Sequence, residues 1–238
     1  MKEYIVVLSL WKRGHWLEEQ LNIFRNQSCP PKEIWLCYGI NNENRNFQGS
    51  ELLNKFDKIK TMEDGGSVFS RFEMASESDD DLFLIIDDDM FPTQNYMENV
   101  MQFYIDNEDC IIASSGRIFK NAGLYFPNTT LGSINYSNHN QVHIGTNGWF
   151  ISKQSIKEML LVHDRRNYNN GEDIAISFVN LKKRKVKTYV IGQDENMNSD
   201  KYKHQRGAGD EALSHSSKHH DFYKQRNEIL SFYFRGDF

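Results

Sequence analysis

Two acidic triplets frame one apolar run: Asp79–Asp81 precede Leu82–Ile86, and Asp87–Asp89 follow it. Carboxylates grouped at a strand end suit a hard divalent cation. Mg2+ and Mn2+ take oxygen ligands and commonly use one or two carboxylates beside substrate phosphates and water. In an extended D-x-D, Asp87 and Asp89 leave the chain in one direction, so both face one ligand while Asp88 points away or into a turn. The plainer alternative is acidic decoration ahead of the helix that follows Pro92. Asp79–Asp81 read as a solvated turn. A second acidic pair, Glu172 and Asp173, opens the helical stretch "GEDIAISF", where acids also suit the positive end of a helix.

The elements around these residues decide which triplet faces a ligand. "YIVVLSL" (4–10) is a continuous apolar run of strand length, the pattern of a strand covered on both faces. Leu17, Leu21 and Phe24 recur at helical spacing over 15–26, Pro30 and Pro31 stop that helix, and "EIWLCY" (33–38) is a second strand. Strand, helix, strand at this spacing is a βαβ unit, hence a parallel sheet with a right-handed crossover. The pattern continues with a helix near 50–56, a strand at 58–62, a helix at 67–77, the strand 82–86, a helix at 95–106 and a strand at 110–114.

These elements predict an α/β sandwich with a mostly parallel central sheet. Ligands of such sheets bind beyond the carboxyl ends of the strands. Asp87–Asp89 leave that end of 82–86, whereas Asp79–Asp81 sit at its other end. Beyond residue 115 the pattern predicts short strands around a turn in "QVHIGTNGWFISK" (141–153), a helix at 170–184 and a strand at 186–191. A polar, mobile loop at 193–221 and a final helix at 221–234 complete the chain.

The 238 residues suffice for one α/β domain with a substantial core. The net charge of -5 argues against a general nucleic-acid scaffold. Cys29, Cys37 and Cys110 are odd in number and lack a CxxC pattern, which fits a reduced compartment. The first apolar run is too short for a leader or a membrane span, so the expected location is cytoplasmic.

Taken in order, "YIVVLSLWKRGHWLEEQLNIFRNQSCPPKEIWLCYG", "LFLIIDDDMFP", "GTNGWF" and "NGEDIAISF" resemble nucleotide-sugar glycosyltransferases of the GT-A fold. The likeness runs over roughly residues 3–192 and extends to both the family-2-like and the exostosin-like groups. It implies a single GT-A domain, with a nucleotide-sugar-binding half at 1–115 and an acceptor-binding half at 116–238.

The resemblance also implies roles for individual residues. Asp87 and Asp89 match the D-x-D motif, with Asp88 between them, and Asp89 is the residue that coordinates Mn2+ or Mg2+ at the donor diphosphate. Ser9, Trp11 and Arg13 match the turn that lines the base pocket, and Arg71 a helix residue near the phosphates. Read without the resemblance, Arg71 is equally a surface arginine. Asp173 matches the acid that takes a proton from the acceptor hydroxyl, with Glu172 as its neighbouring candidate. Gly148 and Trp149 match the acceptor-side loop, where glycine admits a sugar and the indole stacks on it, though a core Trp fits as well.

A C-terminal arginine that contacts the diphosphate corresponds to Arg226. One of His204, His215, His219 or His220 corresponds to a C-terminal metal ligand. The expected partners are therefore a nucleotide-sugar donor, most simply UDP-linked, and a glycan or glycoconjugate acceptor.

Relatives often read uracil with an Asp after the second strand. Here the chain has "CYGINN", so Asn41 or Asn42 would have to take that task. Two other readings share the architecture. A sugar-phosphate nucleotidyltransferase would need a Gly-rich basic loop after the first strand, and "SLWKRGHW" has one Gly. A non-catalytic nucleotide-sugar- or glycan-binding module would not need Asp87, Asp89 and Asp173 together.

Overall fold

The computed structural model describes residues 2–107, 109–119, 129–130, 139–162, 170–192 and 219–235. Strands β1 (Ile5–Leu10), β2 (Glu33–Gly39), β3 (Lys58–Met62) and β4 (Leu82–Ile86) pair in parallel in the order β3-β2-β1-β4. Helix α1 (Leu17–Arg25) makes the first crossover, and α2 (Ser70–Ser76) and α3 (Tyr96–Asp106) flank β4 in sequence. These are the elements that the apolar spacing predicts. The expected helix near 50–56 is a short 3-10 stretch, Glu51–Lys55, held by the Ser50 hydroxyl accepting from the Leu52 N–H.

The sheet continues past β4 without a break. Strand β5 (Ile111–Phe119) runs on well beyond the predicted 110–114, and β8 (Ile144–Ser152) inserts antiparallel between β4 and β5. The two-residue β6 (Thr129–Thr130) pairs with β5, while β7 (Asn140–Val142) and β9 (Thr188–Val190) close the far edge. β1 to β5 and β9 point one way, and β7 and β8 the other, so the sheet is mostly parallel in direction. Because β8 pairs directly with β4, residues on either side of 115 share one sheet.

Helix α4 (Lys153–Val162) is absent from the sequence reading. Its signal is present: the Ser152 hydroxyl caps the Ser155 N–H, and Ile156 and Met159 recur at helical spacing to face the core. Helix α5 (Glu172–Arg184) and the last helix, α6 (His219–Arg235), match expectation. The predicted loop at 193–221 lies outside the described residues up to the start of α6, and His204 and His215 lie there too.

Alternate residues of β1, with Tyr4 just before it, split the core in two. Ile5 and Val7 pack with α2, α4, α5 and α6. Tyr4, Val6, Leu8 and Leu10 pack with α1 and α3. Every residue of β4 is buried, as a strand covered on both faces requires. The result is an α/β/α sandwich whose β1, β2 and β4 all point their carboxyl ends at one crevice. Among the described residues no helix is long and apolar enough to cross a membrane.

Candidate active site

The two triplets separate as their positions dictate. At the amino end of β4, Asp80 pairs with Lys32 at 2.7 Å, and Lys153 reaches Asp81 at 3.5 Å and the Ser78 and Asp79 carbonyls. Those contacts lie on the surface and tie the turn to neighbouring elements. At the carboxyl end, each member of the second triplet faces a buried arginine.

One residue past the end of β4, the Asp87 N–H still donates to the Asn147 carbonyl of β8. A register shift between Ala113 and Ser115 in β5 brings that carbonyl into place, and Asn147 itself takes a left-handed backbone (φ 70) that Asn tolerates. Ser115 and Thr146 hydroxyls share a 2.6 Å hydrogen bond across the bulge. The chain then turns, with the Met90 N–H donating to the Asp87 carbonyl and Gln20 donating to the carbonyls of Asp87 and Met90.

This turn changes what D-x-D means. Alternation holds for extended chain, and these residues are not extended. Asp87 points to Arg71, whereas Asp88 and Asp89 both point to Arg13, at 2.5 and 3.5 Å. The expectation that Asp87 and Asp89 share a direction is corrected. Arg13 reaches these acids from the start of the 3-10 turn Gly14–Trp16. The buried Asp88 Oδ2 has no hydrogen-bond partner among the described residues.

Arg71 is the hinge of the site. Rooted in α2, it is 7% exposed, donates to Asp87 and reaches Glu172 at 3.4 Å. Its guanidinium lies 5.1 Å from the ring centroid of Trp149. Trp149 therefore takes the core reading: it is 1% exposed, its N–H donates to the Gly145 carbonyl, and it supports Arg71 from below. Stacking of this indole on an acceptor sugar is corrected, because both ring faces are covered by protein. Gly148 is likewise a packing residue, since a Cβ there would lie 2.7 Å from the Ser114 hydroxyl.

Helix α5 carries its acids into the same crevice. Gly171 precedes them with φ 93, and its missing side chain is replaced by Ile229 of α6, which would lie 2.6 Å from a Cβ there. Asp173 is buried: one oxygen accepts from the Ile174 N–H at 2.8 Å, and the other from Arg226 of α6. Among the described residues, the Glu172 carboxylate makes one ion pair, the long contact to Arg71. Burial raises its carboxyl to about 7, with the Asp173 and Asp87 charges adding to the effect against Arg71 and Arg226. Burial also pushes the Asp87 carboxyl up, against the pull of Arg71. Among the described residues, five acids thus meet three arginines at this end of the sheet.

The tips of β1 and β2 form the other wall. Trp11, Asn41 and Asn44 assemble there: both asparagine amides donate to the Trp11 and Gly39 carbonyls, and the Asn44 side-chain oxygen accepts from the Asn41 N–H. The Asn41 side-chain oxygen accepts from the Glu43 and Asn44 N–H groups. Asn41 is therefore fully engaged in its own loop, which corrects it as a reader of the nucleobase; Asn42 stays exposed. Asn44, absent from the sequence reading, is fully buried, and its only signal was Asn enrichment after a strand. Ser9, half-buried, is the penultimate residue of β1, opposite Cys37 of β2.

No protein-family model and no curated protein matches the sequence. Solved structures match in shape. S. aureus TarS 1-349 in complex with UDP has a TM-score of 0.58 and 12% identity, covering 81% of this chain and 58% of that one. The complex of TarS 1-349 with UDP-GlcNAc gives 0.54 and 12%, covering 81% and 56%. The longer TarS structure gives 0.53 and 12%, covering 79% and 36%. The chain thus spans between about a third and three fifths of those chains. The likeness is one of fold, and the GT-A resemblance read from the sequence holds at that level.

Proposed function

We propose that this chain transfers a sugar from a nucleoside-diphosphate donor, UDP-linked, to a hydroxyl of a glycan or glycoconjugate acceptor. One observation carries the reading: Arg13, Arg71 and Arg226, all buried, converge with Asp87–Asp89, Glu172 and Asp173 beyond the carboxyl ends of the parallel strands. Buried charge is costly unless it is paired, and a cluster of paired arginines and acids with shifted carboxyls at a sheet's ligand end marks a site for a charged ligand. The arginines suit a diphosphate, and a carboxylate at the head of α5 suits the acceptor proton. TarS structures that hold UDP and UDP-GlcNAc support the choice of nucleotide.

We propose in addition a divalent ion such as Mn2+ or Mg2+ at the acidic tip; among the described residues no three acids are already grouped as a metal site, so donor phosphates would complete its ligands. Its donors are hard oxygens, and the buried, unpartnered Asp88 Oδ2 is the kind of atom that a cation satisfies. Asp89 and Asp88 would hold the ion, with Asp87 reached through exchange of its Arg71 contact. Such an ion supplies charge neutralisation to a departing nucleoside diphosphate.

Thermal unfolding with UDP and Mn2+ tests the reading. A ligand at a hundredfold its dissociation constant stabilises the folded state by ~2.7 kcal/mol. The expected result is stabilisation by UDP that Mn2+ enlarges, with the Mn2+ increment lost in Asp89→Ala. No stabilisation by UDP, GDP or dTDP, with or without the ion, would overturn it.

A further inference from the structure

We infer that Arg13 is a built-in cation of the acidic tip, whose guanidinium must leave Asp88 and Asp89 before a divalent ion can bind there. Arg13 thereby couples ion binding to donor binding, a role that rests on the glycosyl-transfer reading above and deepens it.

Arg13 occupies the place that an ion would take. Its Nη1 lies 2.5 Å from Asp88 and 3.5 Å from Asp89, so one nitrogen bridges two carboxylates. Arg13 is 9% exposed and Asp88 8%, and water screens so covered a contact weakly. A divalent cation on the same oxygens would stand within a few ångströms of the guanidinium. Like charges at that separation repel strongly away from bulk water, so the two exclude each other.

The guanidinium serves the tip incompletely. Asp88 Oδ2 is buried and has no hydrogen-bond partner among the described residues, and the contact to Asp89 is longer than a good charge-assisted bond. A buried acceptor left without a donor costs free energy that ligation would recover. Asp87 meanwhile turns to Arg71. An ion arriving alone therefore meets two carboxylates and a competing cation.

Only the side chain of Arg13 is placed to make the exchange. The Trp16 N–H donates to the Arg13 carbonyl at 3.1 Å, and a Cβ on the next residue, Gly14, would lie 2.3 Å from the Phe47 ring. Gln20 of α1 holds the facing backbone through the carbonyls of Asp87 and Met90. With both backbones fixed, the long side chain re-aims by a change of rotamer. Once off the acids it needs another anion, and a diphosphate is one that a guanidinium binds in a fork. Donor and ion then favour each other by the same factor, as linkage requires.

The test is binding of Mn2+ alone, read from the electron paramagnetic resonance signal of the unbound ion, without and with UDP. In the absence of UDP, Arg13→Met should bind Mn2+ at least about fivefold more tightly than wild type, the lower end of ordinary coupling between sites. UDP should then tighten Mn2+ less in the variant than in wild type. Mn2+ alone should also raise the melting temperature of Arg13→Met more than that of wild type, because it covers acids that have lost their cation. Arg13→Lys keeps a cation at the tip in case Arg13→Met does not fold. Its point charge cannot reproduce the fork, so its Mn2+ affinity should also exceed that of wild type.

Mn2+ affinity unchanged or weakened in the folded variants would overturn the inference. So would an equal effect of UDP in variant and wild type, since that is the mark of a through-space charge effect without displacement. Binding of UDP to chains that bind no Mn2+ would overturn it and leave the transfer reading standing. Failure of wild type to bind UDP, GDP or dTDP would overturn both.

Discussion

Arg226, in the last helix, donates to Asp173 at the head of α5 across 53 residues of chain, and both side chains are buried. The contact joins the end of the chain to the crevice that the first strands form. Ion pairs at such depth gain little net stability over an apolar pair, because two desolvation costs offset the attraction. Removing one partner is another matter, for it strands a charge away from water.

Arg226→Met should therefore destabilise the chain by about 3–5 kcal/mol. For a chain of this size that lowers the melting temperature by about 2–4 °C per kcal/mol. The double variant Arg226→Met/Asp173→Asn should recover at least half the loss, since neither side then leaves a naked charge. Denaturation of the two variants side by side decides it. A single variant within about 1 kcal/mol of wild type would show that the pair is solvated.

Asn44 carries a prediction of a different kind, because its amide points both hydrogens at carbonyls of two strand ends. Asn44→Ala removes donors from the Trp11 and Gly39 carbonyls and the acceptor of the Asn41 N–H. Asn41 still donates to those carbonyls, so the cost should be about 2 kcal/mol rather than the sum of every lost bond. Asn44→Asp should cost more than Asn44→Ala, as it sets a carboxylate against two carbonyl oxygens. Urea midpoints give the order, and the reverse order would refute the bonding scheme.

Asn44 also shows where the sequence stops being legible. Apolar run length and helical spacing disclosed β1 to β4, α1 to α3 and α5, because burial on one or two faces writes itself into residue order. Position at a strand's carboxyl end then distinguished Asp87–Asp89 from Asp79–Asp81. What stayed hidden depends on backbone direction over one or two residues. The turn after Ile86 sends Asp87 and Asp88 to different arginines, and nothing in a run of three identical residues records that. Trp149 and Gly148 were open to two readings because an indole in a strand serves equally as core or as sugar platform; only the surrounding side chains decide. The Arg226–Asp173 contact spans 53 residues of chain, and no local pattern marks it.

Glu172 links the site to stability in a direction that can be worked out from its carboxyl. The folded value, about 7, lies above the 4.5 of an ordinary glutamate. Between those values the folded chain holds a proton that the unfolded chain has released. The contribution of this group is thus fully present below the unfolded value and is lost as pH rises through the folded one. Wild-type stability should fall across that window from this group, and Glu172→Gln should remove that part of the slope. Above neutrality the variant should be the more stable chain, by on the order of 2–3 kcal/mol, although it has lost the contact to Arg71. Such a gain on removing a charged side chain is expected where a site holds an acid for chemistry rather than for the fold. Unfolding free energies of both chains, followed as pH is raised, provide the check: parallel curves would mean that Glu172 is an ordinary solvated acid.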